Sequence, residues 1–440
     1  MSAFKLHTLK QKLWAIVATS FVARVIVFFA LPDTSTQLAP DEATYSSIVR
    51  WVGESKPARE FPGYGEGLYL SGRAILTPAI SLYRAGFNEI SSLRILSTFY
   101  GLISLVLIVV LILKLHESDH DIVRDKSVNF NEHLIVVLVV IFALLPSHFI
   151  WSNLGLREST TELWILVSFI SFFSVYHYRK KITVMGVSAL VVSIALSFSS
   201  RAQVGWVITV SLLVYLLINL RKTLTYFMIA FVLCGVLLGN TLNQPSTPST
   251  PSTPSTPSTP SNLTQIFDPL TSAGEVISYK QEVNQIGAAS RIETQSCPRE
   301  APTLATVPPT KFDTYFCIAW RAPYMVTTFL FRPILGVDVT STASLIAAIE
   351  NIFWLGLFIA IITLVIRRRT VSFLKPILPA MIFFGLYVLG ASAYQGNMGT
   401  GFRHKSLILW AVLLLIFALA WRKPEGASTK LRNNSQESAV

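Results

Sequence analysis

Two adjacent carboxylates, Asp41 and Glu42, give the strongest chemical signal in this sequence. They follow Pro40 in the segment PDEATY and precede Tyr45 in a stretch whose apolar residues recur at helical spacing. A carboxylate near a membrane surface can act as a general base on an acceptor hydroxyl or can hold a divalent cation. The same pair could instead begin a helix, with Asp41 as the N-cap and Glu42 favoured by the helix dipole. One residue can do both, so the two interpretations stay open.

A second charged pair, Arg157 and Glu158, lies in the segment WSNLGLREST. Trp151, Ser152 and Asn153 stand just before it and offer stacking and hydrogen-bonding groups suited to a sugar or a phosphate. Charges at a membrane boundary can instead form a structural ion pair or reach toward water. The residues alone do not decide between a binding site and a structural pair.

Basic residues stand at two further places, Arg201 in SFSSRAQ and the run Arg403, His404 and Lys405 in GNMGTGFRHKS. We expect both segments to be short turns between membrane-spanning helices. Arginine gives bidentate hydrogen bonds to phosphate oxygens, so an anionic lipid phosphate is a candidate ligand. The alternative is contact with ordinary phospholipid headgroups.

The composition indicates that membrane helices position these residues. Of 440 residues, 52% are hydrophobic and only 14% are charged, whereas soluble domains carry about 25% charged residues. A span needs about 20 apolar residues. Ten stretches qualify: 12–31, 93–114, 133–151, 160–178, 182–200, 203–220, 224–242, 343–366, 375–394 and 405–421. The predicted fold class is an all-α polytopic membrane protein.

The distribution of Lys and Arg predicts the orientation of these spans. With both termini cytoplasmic, the short loops at 179–181, 221–223 and 367–374 face the cytoplasm, and each is basic. The net charge of +12 is then largely a topology signal, and nucleic-acid binding is not needed to explain it. All four chemically interesting segments fall on the opposite, extracytoplasmic face.

The predicted organisation has five parts. They are an N-terminal transmembrane module (1–242, with a first outer loop at 32–92), a Pro/Ser/Thr linker (243–261), an outer-loop region (262–341), C-terminal transmembrane helices (342–421) and a cytoplasmic tail (422–440). In the first outer loop, 42–52 and 67–87 are expected to be helices, the latter lying in the interface. The three-residue repeat of the linker favours polyproline II.

Cys297 and Cys317 lie in the second outer loop, where an extracytoplasmic disulfide between them is plausible but not required by the spacing. Glu350, inside the eighth stretch, is predicted to be the main charged residue within the spans, and an intramembrane carboxylate is a functional candidate. The chain contains no Walker motif, dinucleotide fingerprint, HExxH or paired CxxC.

Taken together, these features resemble the GT-C class of membrane glycosyltransferases, which use sugars carried on polyprenyl phosphate or pyrophosphate. More specifically, the chain is similar to dolichyl-phosphate-mannose-protein-mannosyltransferase-like enzymes and to bacterial lipid-linked sugar transferases. The matching segments are PDEATY (40–45), SLRILSTFYG (92–101), LPSHFIWSNLGLRE (145–158) and FRHK (402–405). The resemblance covers most of the chain outside 243–311 and rests on short motifs.

The resemblance implies a GT-C-like fold and a hexosyltransferase of the bacterial plasma membrane that serves cell-envelope polysaccharide biosynthesis. Its catalytic base maps to Asp41, with Glu42 as the alternative, and the arginine on the donor phosphate maps to Arg403, with Arg201 as a second candidate. The expected substrate-binding residues are Tyr45, Arg157, Glu158, Arg201, Arg403, His404 and Lys405.

The expected partners are a polyprenyl-phosphate-linked sugar, a glycan, lipid or protein acceptor, and membrane lipids, with no nucleic acid. No cofactor is required, although Mg²⁺ or Mn²⁺ at Asp41 is possible. Two alternatives remain: a polymerase of lipid-linked repeat units, and a lipid or sugar transporter or flippase. A transporter usually carries internal repeats and polar residues at the midplane, whereas the polar residues here gather on one predicted face.

Overall fold

The computed structural model describes residues 2–31, 40–62, 65–120, 132–179, 183–219, 223–242, 311–339, 341–367, 377–394 and 398–420. Within these ranges the chain folds into helices and forms no β-strand. The fold is that of a helical membrane protein, because several of its helices are long and apolar enough to cross a bilayer.

The described helices are named here in chain order. The N-terminal part contains α1 (Ser2–Ala30), α2 (Pro40–Gly53), a 3-10 turn (Ala58–Glu60), α3 (Gly65–Ser71), α4 (Arg73–Arg84), α5 (Glu89–His120), α6 (Glu132–Leu144) and α7 (Pro146–Phe149). Next come α8 (Glu158–Phe173), a π-helical turn (Ser174–Arg179), α9 (Val184–Ser200), α10 (Ala202–Ile218) and α11 (Thr223–Leu242). The C-terminal part contains α12 (Lys311–Phe331), α13 (Thr342–Arg367), α14 (Leu378–Tyr394) and α15 (Met398–Ala420).

Each of the ten predicted stretches contains an apolar helix. Five have the length and composition of a span, namely Thr8–Ala30, Glu89–Leu115, Glu158–Tyr176, Ser344–Arg367 and Gly401–Ala420. Five are shorter, namely Glu132–Leu144, Val184–Ser200, Ala202–Ile218, Leu224–Gly239 and Leu378–Ala393. The helical membrane class is therefore confirmed, and the number of ten spans stays a prediction.

Helix α15 lies at the centre of the bundle. In its apolar segment 89% of the residues are buried, compared with 22% in α1. The fully buried Trp410 stacks in tilted contacts on Phe169 of α8 and Phe383 of α14, with ring centroids 4.9 and 5.8 Å apart. The middle of α15 is thus packed against both α8 and α14.

Two boundaries differ from the prediction. The third stretch is interrupted at Leu145, whose backbone is extended (φ −60, ψ 129) ahead of Pro146, because proline lacks the N–H that a continuing helix would need. Helix α15 begins at Met398 instead of 405. The predicted turn was therefore wrong for Arg403, His404 and Lys405, which lie in the second turn of a helix.

The first outer loop forms a helix at 42–52 as predicted, within α2, but the single helix predicted at 67–87 is divided at Gly72 into α3 and α4. With 12 residues, α4 is about 18 Å long, too short for a bilayer core of about 30 Å. Its buried face packs with that of α2 in one apolar cluster that includes Ile48, Leu76 and Leu93. Both helices also contact α5. Their position at the membrane interface stays a prediction.

Several predictions fall outside the described part of the chain. They concern the repeat at 245–261, most of the outer-loop region, the tail at 422–440 and Cys297. The side chain of Cys317 is also outside it, so the disulfide stays a prediction. Within α12, Phe329 and Leu330 are buried and Trp320 is 78% exposed.

Two glycine-to-alanine substitutions test the packing of α5 against α1 and the segment that precedes α8. A Cβ on Gly101 of α5 would lie 2.4 Å from Cβ of Ser152 and 3.1 Å from Nη1 of Arg24, whereas a Cβ on Gly356 of α13 would meet nothing within 4 Å. We expect Gly101→Ala to lower the free energy of unfolding by about 1–3 kcal/mol through overpacking. Gly356→Ala should be neutral or stabilising, since alanine favours helix. Thermal unfolding in detergent compares the two variants; equal stability would contradict this packing.

Candidate functional site

An ion pair between Asp41 and Arg403 joins the start of α2 to the start of α15. Nη1 of Arg403 donates a hydrogen bond of 2.7 Å to Oδ2 of Asp41, across 362 residues of sequence. The Arg403 side chain is 12% exposed and that of Asp41 is 54% exposed. The carboxylate therefore stays accessible while its partner is held in the protein.

The pKa of Asp41 lies below its ordinary value of 3.8. Burial acts to raise this pKa, but the charge and hydrogen bond of Arg403 lower it, and the charges of Arg157 and Arg201 lower it further. Asp41 is accordingly ionised at neutral pH. Its basicity is set by burial, which raises the pKa, and by the three arginines, which lower it.

Arg201 links the start of α8 to α15. It is the extended residue (φ −157, ψ 105) between α9 and α10, which confirms the predicted tight turn. Its Nη2 donates a hydrogen bond of 2.6 Å to Oε1 of Glu158, and its Nη1 donates to Nε2 of His404. Glu158, Arg201 and His404 are all buried. The predicted pair Arg157–Glu158 is thus not a pair, because the hydrogen-bonded partner of Glu158 is Arg201.

Arg157 and Tyr45 complete the cluster. Burial lowers the pKa of Arg157, and the charges of Glu158 and Asp41 oppose this shift. Burial also raises the pKa of Tyr45, which remains a neutral phenol. Nη1 of Arg157 donates a hydrogen bond of 3.1 Å to Oγ of Ser71 in α3.

Seven predicted site residues therefore act on one another electrostatically or through hydrogen bonds, although they come from four distant parts of the chain. We call this group the outer cluster. Its members are Asp41, Tyr45, Arg157, Glu158, Arg201, Arg403 and His404.

Glu42 faces the other way from its neighbour and is enclosed. It accepts hydrogen bonds from Nε and Nη2 of Arg94 at 2.8 and 3.0 Å and from the backbone N–H of Gly155 at 2.7 Å. Arg94 also donates to the carbonyl of Leu31 at 3.2 Å. This arrangement favours a structural role for Glu42 and leaves Asp41 as the accessible carboxylate of the pair. Both lie in the first turn of α2, where a negative charge also suits the helix dipole.

Lys405 points into a different polar contact. Its Nζ donates hydrogen bonds to Oδ1 of Asn351 at 2.5 Å and to the carbonyl of Arg332 at 3.2 Å. Asn351 in turn donates to the carbonyls of Phe331 and Pro333 at 3.2 and 2.7 Å. Lys405 therefore fastens α15 to α13 and to the end of α12, which differs from the substrate-binding role predicted for it.

Glu350 is fully buried and hydrogen-bonded. It accepts from the backbone N–H of Ser147 and, at 2.8 Å, from Nε1 of Trp354. It was predicted to be the main charged residue inside the spans, but the described spans also contain Arg24, Arg94 and Glu162. An arginine or glutamate inside an apolar stretch is the signal that could have identified them.

Arg24 and Trp151 make contacts with the segment beside the outer cluster and with Arg403, respectively. Arg24 is fully buried, donates to Oγ of Ser152 and lies 5.1 Å from the ring centroid of Phe149. The guanidinium of Arg403 lies 5.8 Å from the ring centroid of Trp151, within the range of a cation–π contact. The segment between α7 and α8 is thereby held against both α1 and α15.

The residues around Asp41 do not form an evident metal site. Within the described ranges, no group of three or more His, Cys, Asp or Glu side chains is placed to hold an ion. Oδ2 of Asp41 is already engaged by Arg403. A divalent cation at this carboxylate stays a prediction.

Comparison of the chain with protein families, with curated proteins and with solved structures gives no match. The fold and the cluster together define a helical membrane protein with an arginine-rich polar site.

Substitution of the two neighbouring carboxylates should separate structure from chemistry. Glu42→Gln leaves the buried charge of Arg94 without its counter-ion, so we expect a loss of about 3–5 kcal/mol of unfolding free energy. Asp41→Asn breaks a pair with one exposed partner and should cost no more than about 1 kcal/mol. Chemical unfolding in detergent measures both. A stable Glu42→Gln variant beside an unfolded Asp41→Asn variant would reverse the two roles.

Proposed function

We propose that this protein is a membrane glycosyltransferase of the GT-C type, which transfers a hexose from a polyprenyl-phosphate donor to a hydroxyl group of an acceptor. The observation that carries the proposal is an accessible carboxylate, Asp41, surrounded by Arg157, Arg201 and Arg403. A base beside a group of cations is what glycosyl transfer from a lipid phosphate requires.

The charge of the outer cluster suits a phosphate. Arg157, Arg201 and Arg403 bring three positive charges, and the carboxylates Asp41 and Glu158 bring two negative ones. His404 accepts an N–H from Arg201 at Nε2, so that nitrogen carries no proton. The surplus of one positive charge favours a bound phosphodiester. It also stabilises the additional negative charge that appears on the phosphate as it leaves.

Asp41 is the proposed general base. It is ionised at neutral pH and accessible, so it can accept the proton of an acceptor hydroxyl. The hydroxyl oxygen attacks the anomeric carbon and forms the new glycosidic bond. The bond from that carbon to the phosphate oxygen breaks, and the polyprenyl phosphate leaves with the electron pair.

The membrane arrangement is part of the proposal. All ten apolar helices cross the bilayer, both termini are cytoplasmic and the outer cluster faces the extracytoplasmic side of a bacterial plasma membrane. The basic loops at 179–181, 221–223 and 367–374 support this orientation. The polyprenyl chain of the donor would lie in the bilayer. The energy of transfer comes from the lipid-phosphate bond, which agrees with a sequence that carries no nucleotide-binding motif.

A transfer assay tests the proposal. Purified protein in liposomes receives a panel of labelled polyprenyl-phosphate hexoses, with a membrane extract as the source of acceptors. We expect transfer by the wild type and a loss of about 10²–10⁴-fold in Asp41→Asn, the range for a missing general base. Glu54→Gln is the matched control, because Glu54 is an exposed carboxylate that is paired with Lys56 and is not a member of the outer cluster.

Each negative outcome has a distinct meaning. Wild-type rates in Asp41→Asn would keep the enzyme class and overturn the assigned base. Failure of the wild type both to transfer from any donor and to bind any donor would overturn the proposed function.

A further inference from the structure

We propose that donor binding itself activates Asp41, because the arginine placed to bind the phosphate, Arg403, is the one that donates a hydrogen bond to this carboxylate. This inference rests on the proposed function. It adds a coupling between two events, the binding of the phosphate and the acceptance of a proton by Asp41. The guanidinium of Arg403 takes part in both.

The coupling begins with Arg403. Its Nη1 donates to Asp41 at 2.7 Å, and the face of Trp151 lies 5.8 Å from its guanidinium carbon. The start of α15 is held deep in the bundle, with Phe402 and His404 buried on either side of Arg403. A phosphate that binds the outer cluster must therefore interact with a cation that Asp41 already uses.

The charges around Asp41 come from every element of the cluster. Arg403 of α15 acts most strongly, and Arg157 and Arg201 add to it. The carboxylate of Glu158 is hydrogen-bonded to Arg201, and Tyr45 is a neutral phenol. The lowered pKa of Asp41 is thus a property of the whole cluster, so any anion that neutralises the arginines raises that pKa.

A phosphodiester has the charge that balances this site. Its single negative charge cancels the surplus positive charge of the cluster. During transfer Asp41 takes up the proton and loses its charge, while the leaving phosphate gains one negative charge. The total charge of cluster and donor therefore stays at zero throughout the reaction. Without the donor, Asp41 remains a weak base and does not activate water or acceptor.

Thermodynamic linkage between proton binding and phosphate binding makes the coupling measurable in an experiment without sugar transfer. If phosphate binding raises the proton affinity of Asp41, then neutralising Asp41 must tighten phosphate binding by the same factor. Asp41→Asn removes the charge and keeps the shape of the side chain. The variant that abolishes transfer should consequently bind the phosphate more tightly than the wild type.

The experiment is calorimetric titration of the full-length protein in detergent with farnesyl phosphate. We expect Asp41→Asn to bind about 10-fold more tightly than the wild type, within the usual range for coupled sites, and the control Glu54→Gln to bind like the wild type. The gain should be smaller when Asp41→Asn is placed in an Arg403→Gln background, because Arg403 acts most strongly on Asp41 while Arg157 and Arg201 remain. Farnesol, which has no charge, should bind no more tightly to Asp41→Asn than to the wild type. A titration with inorganic phosphate distinguishes a site for free phosphate from a site for a lipid phosphate. Asp41→Ser serves as a second variant if Asp41→Asn does not fold.

The outcomes separate this inference from the proposed function. Equal or weaker binding of farnesyl phosphate by folded Asp41→Asn, or a gain that is undiminished without Arg403, would overturn the coupling even if the enzyme transfers sugar. Tighter binding would sustain the coupling even if the transfer assay rejected the enzyme class.

Discussion

The arrangement of the outer cluster depends on a buried contact beside it, between Glu42, Arg94 and the backbone of Gly155. Charges this deep in a protein are tolerated only when they are paired and hydrogen-bonded, and Glu42 accepts three hydrogen bonds. The contact fixes α2 against α5 and against the segment that leads into α8. Because successive helical residues are rotated by about 100°, a buried Glu42 turns Asp41 toward α15.

Helix α15 supplies the other half of the constraint. Arg403 and His404 contact the outer cluster, whereas Lys405 reaches Asn351 and the end of α12. Lys405 thus points to a different side of the helix from Arg403 and His404. The central position of α15, rather than a flexible turn, gives Arg403 a fixed place from which to meet both Asp41 and a phosphate.

The sequence predicted where the apolar helices lie and which residues form the candidate site. Apolar length located all ten apolar helices, and seven of the predicted site residues proved to interact. It could not distinguish Asp41 from Glu42, since the partner of Glu42 lies 52 residues away. It also misplaced the start of α15. Glycines 399 and 401 favour a turn by local propensity, but burial of Phe402 and His404 outweighs that preference.

The central claim is that Asp41 and Arg403 meet in the folded protein, and cross-linking in native membranes tests it most directly. The native Cys234, Cys297 and Cys317 are first replaced by serine, and cysteines are then introduced at positions 41 and 403. A protease site is inserted within 245–261. After treatment with a short bifunctional thiol reagent and cleavage, the two fragments should remain joined. Arg50→Cys with Arg403→Cys is the control pair, because Arg50 lies about 14 Å further along α2. Fragments that separate, although both cysteines at 41 and 403 react with a monofunctional reagent, would contradict the account.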